Sequence, residues 1–243
     1  MSLSAVLFDV KGVIIDDQKI QQELIADVLI RENLRPDADD FQTFCLGKSD
    51  RQGLKDVLKS RGRVVAEEYL NKLSQEKSTA YINKLSQLEK LPFYSGFFEF
   101  LTKLQEQEIV IGLVTGTSQQ ETEFILRESA IADFISIVIN ADHPEIASKP
   151  LNVEPNYYAI AIEIINQQFS QLNLQPQECL VIESTYPRIA AAQKLEMQVV
   201  GISNQYPLHM LQRKTDWTVD YLADIDIDRI NQVLSQQQLT QQN

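Results

Sequence analysis

The 243 residues suffice for one large domain or for a core with a smaller domain attached, and a hydrophobic content of 44% argues against disorder. With 34 acidic and 22 basic residues the net charge is −12, so nucleic acid and anionic membranes are not expected partners. We see no signal-peptide pattern, and no apolar stretch approaches the roughly 18 residues that a membrane-spanning helix needs. We therefore expect a cytoplasmic protein. Cys45 and Cys179 lack metal-type spacing and are interpreted as small buried hydrophobes in a reducing compartment.

The chain opens with an apolar run that has no helical period and ends beside a carboxylate, which indicates a buried parallel strand at residues 4–10. From residue 18 to about residue 89, apolar residues recur at helical spacing and no strand is convincing. Strands then alternate with helices. The further strands are predicted at residues 109–114, 135–139, 179–182 and 198–202, with a short one at 217–221; the helices lie near 97–104, 121–128, 157–165 and 189–195.

This alternation indicates a parallel sheet covered by helices on both faces. The predicted fold class is therefore α/β, with a Rossmann-like parallel sheet core and an inserted α-helical cap domain. The core is assigned to residues 1–16 and 91–243, and the cap to residues 17–90. The glutamine-rich segment from Ser235 is expected to be a frayed helix end.

Polar residues follow the predicted strands at their carboxyl ends, where ligands bind in an open α/β sheet. A carboxylate there can attack phosphorus and form an aspartyl-phosphate. A hydroxyl with backbone N–H groups can hold phosphate oxygens, a lysine can neutralise the phosphoryl charge, and an acidic pair can hold Mg²⁺. The residues so placed are Asp9, Lys11, Thr115, Gly116, Thr117, Lys149, Glu183, Ser184 and Thr185.

Four segments in order resemble the motifs of the haloacid dehalogenase (HAD) superfamily. They are FDVKGVIID at 8–16, VTGTS at 114–118, SKP at 148–150 and VIESTYPRIAAAQKLEM at 181–197. The resemblance covers nearly the whole chain, and the insertion point is similar to that of the β-phosphoglucomutase and phosphoglycolate phosphatase-like branch, whose cap is helical. It implies a hydrolase that acts on a small phosphorylated substrate through an aspartyl-phosphate, with Mg²⁺ as cofactor. We expect a monomer or a weak homo-oligomer.

The resemblance assigns roles residue by residue. Asp9 matches the nucleophile, and Lys149 matches the lysine that steadies the nucleophile and the phosphoryl group. Thr115 and Gly116 match the phosphate-binding turn. The metal ligands would be Asp9, Glu183 and the residue at Ser184, and in the cap the segment with Gly47, Ser49 and Arg51 is similar to the loop that selects substrate.

Three departures from the family pattern concern acids and glycines. Lys11 stands where the family phosphatases have a general acid–base aspartate, and an ammonium with a pKa near 10 is poorly matched to proton transfer around neutral pH. Ser184 replaces a metal-binding aspartate, and a hydroxyl is a weak ligand for Mg²⁺. Arg188 and Glu196 stand at usual glycines, which concerns local turn geometry rather than the chemistry directly.

These departures lead to the hypothesis that the Lys11 ammonium replaces Mg²⁺, paired with Asp9 or Glu183. Lys11 could equally extend to solvent, Glu183 could serve only as an ion-pair partner, and Arg51 could be an ordinary helix-surface charge. Two functions remain open. One is a HAD-type hydrolase with weak or altered activity, and the other is a non-catalytic protein that keeps the phosphate or ligand pocket.

Overall fold

The computed structural model describes residues 2–150 and 155–241, and their side chains up to residue 236. Six parallel strands form one sheet in the order β3-β2-β1-β4-β5-β6. The α/β class predicted from the alternating pattern is confirmed. The strands are β1 (Ala5–Phe8), β2 (Val110–Val114), β3 (Ile137–Ile139), β4 (Cys179–Glu183), β5 (Gln198–Ile202) and β6 (Trp217–Val219).

Strand β1 lies between β2 and β4, with Phe8 opposite Leu113 on one side and Ile182 on the other. Its residues are fully buried, as expected of a parallel strand covered on both faces. Because the strands are parallel, the segments that follow β1, β2 and β4 emerge at the same edge. This register brings Asp9, Thr115 and Ser184 to one place.

Helices alternate with the strands after residue 96, whereas residues 18–86 form only helices. We refer to residues 17–90 as the helical insertion; its boundaries as a separate domain stay a prediction. The helices are α1 (Gln18–Arg31), a π-helical turn (Phe41–Cys45), α2 (Asp50–Ser60), α3 (Glu67–Ser86), α4 (Phe97–Glu106), α5 (Gln119–Ser129), α6 (Pro144–Ala147), α7 (Tyr157–Gln168), α8 (Tyr186–Gln193), α9 (Leu208–Leu211) and α10 (Ile227–Gln241), with single 3-10 turns at Ala132–Phe134, Pro176–Glu178 and Leu222–Asp224.

The helical insertion leaves and rejoins the sheet at one point. The Asp16 N–H donates to the Pro92 carbonyl at 2.8 Å, and the Tyr94 N–H donates to the Ile14 carbonyl at 2.9 Å. The outgoing and returning segments therefore run side by side, directly after the strand that carries Asp9.

Three hydrophobic clusters stabilise the chain. One covers the face of the sheet that includes Phe8, whose ring packs edge-on against Phe97 at 6.0 Å, and a second covers the opposite face around Leu7 and Cys179. The third lies within the helical insertion and includes Cys45. Both cysteines are free and buried, as predicted. Within the described ranges, no helix is long and apolar enough to span a membrane.

The C-terminal helix α10 includes the glutamine-rich segment from Ser235, which was predicted to be a frayed helix end; whether it frays stays a prediction. Ile227, Ile230 and Leu234 follow helical spacing and are buried against the sheet core. Burial of this stripe holds the first part of α10 against the core.

Candidate active site

Asp9 stands at the carboxyl end of β1 and is 6% exposed. Its Oδ1 accepts a hydrogen bond from the Val10 N–H at 2.6 Å, so one oxygen is fixed by the backbone. Thr115, after β2, is fully buried, and its Oγ1 lies 2.6 Å from Thr117 Oγ1. The predicted nucleophile and phosphate-binding hydroxyl thus lie at neighbouring strand ends.

Asp9 and Thr115 both line a small cavity of about 40 Å³ between the sheet and the helical insertion. Thr185 and Gln205 line it too, and within the described chain their buried Oγ1 and Oε1 atoms have no hydrogen-bond partner. Buried polar atoms normally find partners, so these two atoms favour a polar occupant that can donate a hydrogen bond to Gln205 Oε1, such as water.

The cation that reaches the Asp9 carboxylate is Arg188, which is 6% exposed. Its Nε lies 3.2 Å from Glu183 Oε1 and 3.8 Å from Asp9 Oδ2, and its NH2 group donates to the Val114 carbonyl. Arg188 stands in the first turns of α8, so the arginine causes no turn distortion. Arg188 was expected to concern the local turn geometry rather than the chemistry directly, but its guanidinium contacts both predicted metal-binding carboxylates.

Two tyrosines of α7 enclose the guanidinium of Arg188. Its central carbon is 4.8 Å from the ring centre of Tyr157 and 5.2 Å from that of Tyr158. The Tyr158 hydroxyl also donates a hydrogen bond to Glu183 Oε1. Burial, and next the negative charge of Asp9, raise the pKa of Glu183 to about 8, while the positive charge of Arg188 acts in the opposite direction.

Lys11 pairs with neither Asp9 nor Glu183 in the contacts described. Its ammonium lies 3.2 Å from Asp50 Oδ1 at the start of α2 and 3.1 Å from Glu121 Oε2 in α5. The hypothesis that Lys11 pairs with Asp9 or Glu183 is therefore wrong. Burial lowers the pKa of Lys11, but the negative charges of Asp50 and Glu121 raise it by more. Lys11 therefore stays a cation.

Lys11 belongs to a buried polar cluster that joins the helical insertion to the sheet core. Lys77, in α3 and 1% exposed, donates to Asp50 Oδ2 at 2.9 Å and to Gln21 Oε1 at 2.6 Å. We call this set the interface cluster: Lys11, Asp17, Gln21, Asp50, Lys77, Tyr81 and Glu121. Its two cations and three carboxylates link both parts of the chain.

The loop before α2 packs directly against the core turns. A Cβ on Gly116 would come within 2.9 Å of the Lys48 carbonyl oxygen, and a Cβ on Gly47 would come within 2.8 Å of Thr185 Oγ1. Gly47 also has a positive φ of 76°, a conformation that favours glycine. Both glycines predicted for substrate binding therefore permit close contact between the helical insertion and the core.

A second, larger cleft of about 1020 Å³ opens beside this contact, between α2, α3 and the core loops. Lys149 lines this cleft and is exposed, while Arg51 pairs with Glu67 at 3.1 Å on its rim. Ser49 caps α2 by accepting a hydrogen bond from the Gln52 N–H at 3.3 Å. The roles predicted for these residues stay predictions: their side chains border the cleft, and Lys149 pairs with neither Asp9 nor Glu183 in the contacts described.

The predicted Mg²⁺ ligands do not form a site that fits the ion. Glu183 Oε1 is engaged by Tyr158 and Arg188, and Ser184 contributes only a buried neutral hydroxyl. A guanidinium already faces both carboxylates, and its charge repels a dication. No group of three or more His, Cys, Asp or Glu residues placed to hold a metal occurs among residues 2–150 and 155–241.

Sequence reasoning missed the residues whose roles depend on tertiary contact. Lys77 carried a detectable signal, because it interrupts the apolar stripe that includes Leu73 and Tyr81 on α3. Glu121 likewise shares the buried face of α5 with Phe124. Arg188 stood out only as a replaced glycine, with nothing to indicate where its side chain would reach.

The fold agrees with comparisons to known proteins. A family model described as haloacid dehalogenase-like hydrolase matches residues 6–202, and the chain belongs to this family. A search of curated proteins by sequence found no match.

Solved structures with the same fold include phosphatases and phosphomutases. β-Phosphoglucomutase from Clostridium difficile shares 20% identity over 98% of this chain and 99% of its own, with a TM-score of 0.77. A predicted phosphoglycolate phosphatase from Haemophilus somnus shares 19% identity over 92% and 96%, with a TM-score of 0.70. CbbY from Rhodobacter sphaeroides, solved in complex with phosphate, shares 15% identity over 91% and 96%, with a TM-score of 0.74.

Proposed function

We propose that this chain is a HAD-type hydrolase with weak, metal-independent activity on a small phosphorylated metabolite. The helical insertion acts as the cap, and the substrate lies between cap and core with its phosphoryl group at Asp9. The observation that carries the proposal is the contrast between Asp9 and Lys11. Asp9 lies with Thr115 at a small cavity of about 40 Å³, whereas Lys11 is held by Asp50 and Glu121.

The chemical step follows from these side chains. A carboxylate oxygen of Asp9 attacks phosphorus, the bond from phosphorus to the leaving-group oxygen breaks, and an aspartyl-phosphate forms. Water then hydrolyses the intermediate and releases inorganic phosphate. Lys11 cannot serve as general acid or base, because its ammonium is committed to two carboxylates and its pKa is raised.

Loss of general acid–base catalysis typically lowers a rate by about 10²- to 10⁴-fold. The loss is smallest for substrates whose leaving group is a weak base and departs without a proton. We therefore expect turnover of acetyl phosphate and p-nitrophenyl phosphate, and much slower turnover of alkyl phosphates such as glycerol phosphate.

The test is phosphate release from these three compounds by the full chain, in EDTA and in Mg²⁺. The expected result is slow release from the two activated substrates at equal rates in both buffers, abolished in Asp9→Asn. Asp133→Asn, a change of an exposed carboxylate in the turn before β3, serves as the matched control and leaves the rate unchanged. Stimulation of the wild type by Mg²⁺ of tenfold or more, roughly the effect of one strong electrostatic interaction, would contradict the proposal.

A second candidate is a non-catalytic protein that binds a phosphorylated ligand. The specific observation in its favour is the closed contact of the Gly47–Lys48 segment with Gly116 and Thr185, which leaves only about 40 Å³ at Asp9. Binding of inorganic phosphate by titration calorimetry, with no phosphate release from any substrate, would establish this second function and exclude the first.

A further inference from the structure

We propose that Arg188 is the resident counter-cation of the Asp9–Glu183 carboxylate pair and takes the place that a divalent metal ion would otherwise hold. The proposal deepens the proposed function and rests on it only for the central position of Asp9. It assigns Arg188 as a positioning residue, since Arg188 acts on a substrate through the carboxylate of Asp9.

The first argument is charge balance in a buried site. Asp9 and Glu183 are 6% and 0% exposed, and a carboxylate that stays ionised at such a position needs a compensating cation. Arg188 supplies it, with its Nε 3.8 Å from one carboxylate and 3.2 Å from the other. A guanidinium stays protonated at every physiological pH, so this charge is permanent.

The second argument is that the guanidinium is held in position on several sides. The Val114 carbonyl accepts from its NH2 group, and the rings of Tyr157 and Tyr158 lie 4.8 and 5.2 Å from its central carbon. A side chain fixed by a strand carbonyl, two carboxylates and two aromatic rings cannot easily withdraw to admit a metal ion.

The third argument concerns the other cations near the site. Lys149, predicted to steady Asp9, is exposed in the large cleft, and Lys11 is held by Asp50 and Glu121. Among the cations of residues 2–150 and 155–236, Arg188 is the one recorded in an ion pair with Asp9 or Glu183. The charge that the family pattern predicts from a lysine and a metal is therefore supplied here by one arginine.

The experiment measures Mn²⁺ binding to the full chain, through the electron paramagnetic resonance signal of the free ion. It compares the wild type with Ser184→Asp, Ser184→Asp/Arg188→Met and Ser184→Asp/Arg188→Lys. The aspartate restores the missing acidic ligand, methionine removes the charge while keeping much of the side-chain stem, and lysine retains the charge. Arg213→Met, which alters an exposed arginine, added to Ser184→Asp, is the matched control.

We expect Mn²⁺ to bind Ser184→Asp/Arg188→Met at least about tenfold more tightly than Ser184→Asp. The reason is that the repulsion between a unit cation and a dication a few ångströms away exceeds the free energy of a tenfold change in Kd. The lysine variant and the Arg213 control should bind as weakly as Ser184→Asp alone. Equal binding by Ser184→Asp with and without Arg188 would overturn the proposal, as would wild-type binding with a Kd below about 0.1 mM.

Circular dichroism of each variant shows whether it folds. If the Arg188 variants unfold, Ser184→Asp alone decides the matter: tight Mn²⁺ binding overturns the proposal and weak binding supports it. These outcomes are separate from those of the proposed function. A chain that releases no phosphate still yields a Mn²⁺ titration, and a chain that binds Mn²⁺ tightly contradicts this inference even if Asp9 is the nucleophile.

Discussion

Arg188 and Lys11 each bring positive charge into a part of the molecule that is shielded from water, but they face different partners. Arg188 faces Asp9 and Glu183 within the sheet core. Lys11 faces Asp50 from the helical insertion and Glu121 from the core. The first pairing concerns the chemistry at the strand ends, and the second concerns how the two parts of the chain are held together.

The Lys11→Met variant tests the second pairing. It should lower the free energy of unfolding by about 3 kcal/mol, the usual cost of breaking a buried ion pair by removing one partner. Glu121 is fully buried and would lose the one cation recorded in an ion pair with it, whereas Asp50 would keep Lys77. Urea denaturation followed by circular dichroism measures the change.

Lys90→Met is the matched control for Lys11→Met. Lys90 is exposed, and no ion pair is recorded for it in the described chain, so its removal should change the free energy of unfolding by less than about 0.5 kcal/mol. Similar losses for the two variants would show that the pairing of Lys11 with Glu121 contributes little to stability.

Some site residues could be predicted from the sequence because their positions are fixed by strand ends. Asp9, Thr115 and Glu183 each follow or end a strand whose apolar run is visible in the sequence. The partners of Lys11 and Arg188 could not be predicted, because they depend on side-chain reach and on contacts between residues far apart in the chain. A motif position gives the residue type, whereas the direction of a long side chain depends on its surroundings.

At the scale of single elements, the strands were the most predictable part of the chain. A buried parallel strand needs a continuous apolar run, and each of β1 to β5 has one. Helix α10 was predicted only at its glutamine-rich end from Ser235, and the start of the helix, with its stripe of Ile227, Ile230 and Leu234, was not assigned. The π-helical turn at Phe41–Cys45 has no sequence pattern that distinguishes it from an ordinary helix.

Glu196 illustrates a local conflict between residue type and backbone. It lies just beyond the end of α8 with a φ of 60°, a left-handed conformation that is usual for glycine at helix ends. The turn geometry typical of glycine is therefore kept, although the residue is a glutamate. Glu196 is exposed, and its carboxylate accepts a hydrogen bond from Gln177 at 2.8 Å.

The Glu196→Gly variant should be more stable than the wild type by about 1 kcal/mol, because a side chain in the left-handed region costs about 1–2 kcal/mol and the surface hydrogen bond offsets only part of it. Glu163→Gly, an exposed change within α7, should instead lose about 1 kcal/mol through helix propensity. Thermal unfolding of the two variants measures the difference in stability. A loss of stability in both variants would exclude backbone strain at residue 196.

At the scale of the whole molecule, the helical insertion has a hydrophobic cluster of its own, and Leu24, Tyr81 and Leu85 of the insertion also pack into the cluster on one face of the sheet. The interface cluster adds charged contacts between the two parts. The order of strands and helices could be predicted from periodicity, because each element carries its own pattern. The closure of the insertion over the sheet could not, because it depends on contacts such as that of Lys48 with Gly116. Such contacts are set by tertiary packing rather than by any local sequence pattern.

The reactivity of the two cysteines can be used to follow unfolding of the insertion and of the sheet separately. Cys45 lies in the hydrophobic cluster of the insertion, and Cys179 lies in a cluster on the sheet. Burial raises the pKa of each thiol to about 12. At pH 8 the reactive thiolate is then about one part in 10⁴, and both thiols should be inert toward Ellman's reagent in the native chain. In 6 M urea both should react.

At intermediate urea concentrations, Cys45 should react before Cys179, because the cluster that buries Cys45 is smaller and lacks a sheet. The interface cluster opposes unfolding of the insertion before the sheet. Lys11→Met should therefore widen the interval between the urea concentrations at which half of Cys45 and half of Cys179 react. Cys45→Ala and Cys179→Ala identify which thiol reacts in each phase. If the two thiols react at the same urea concentration in both the wild type and Lys11→Met, the insertion and the sheet unfold as one unit. The interface cluster would then not be what joins two parts that can unfold separately.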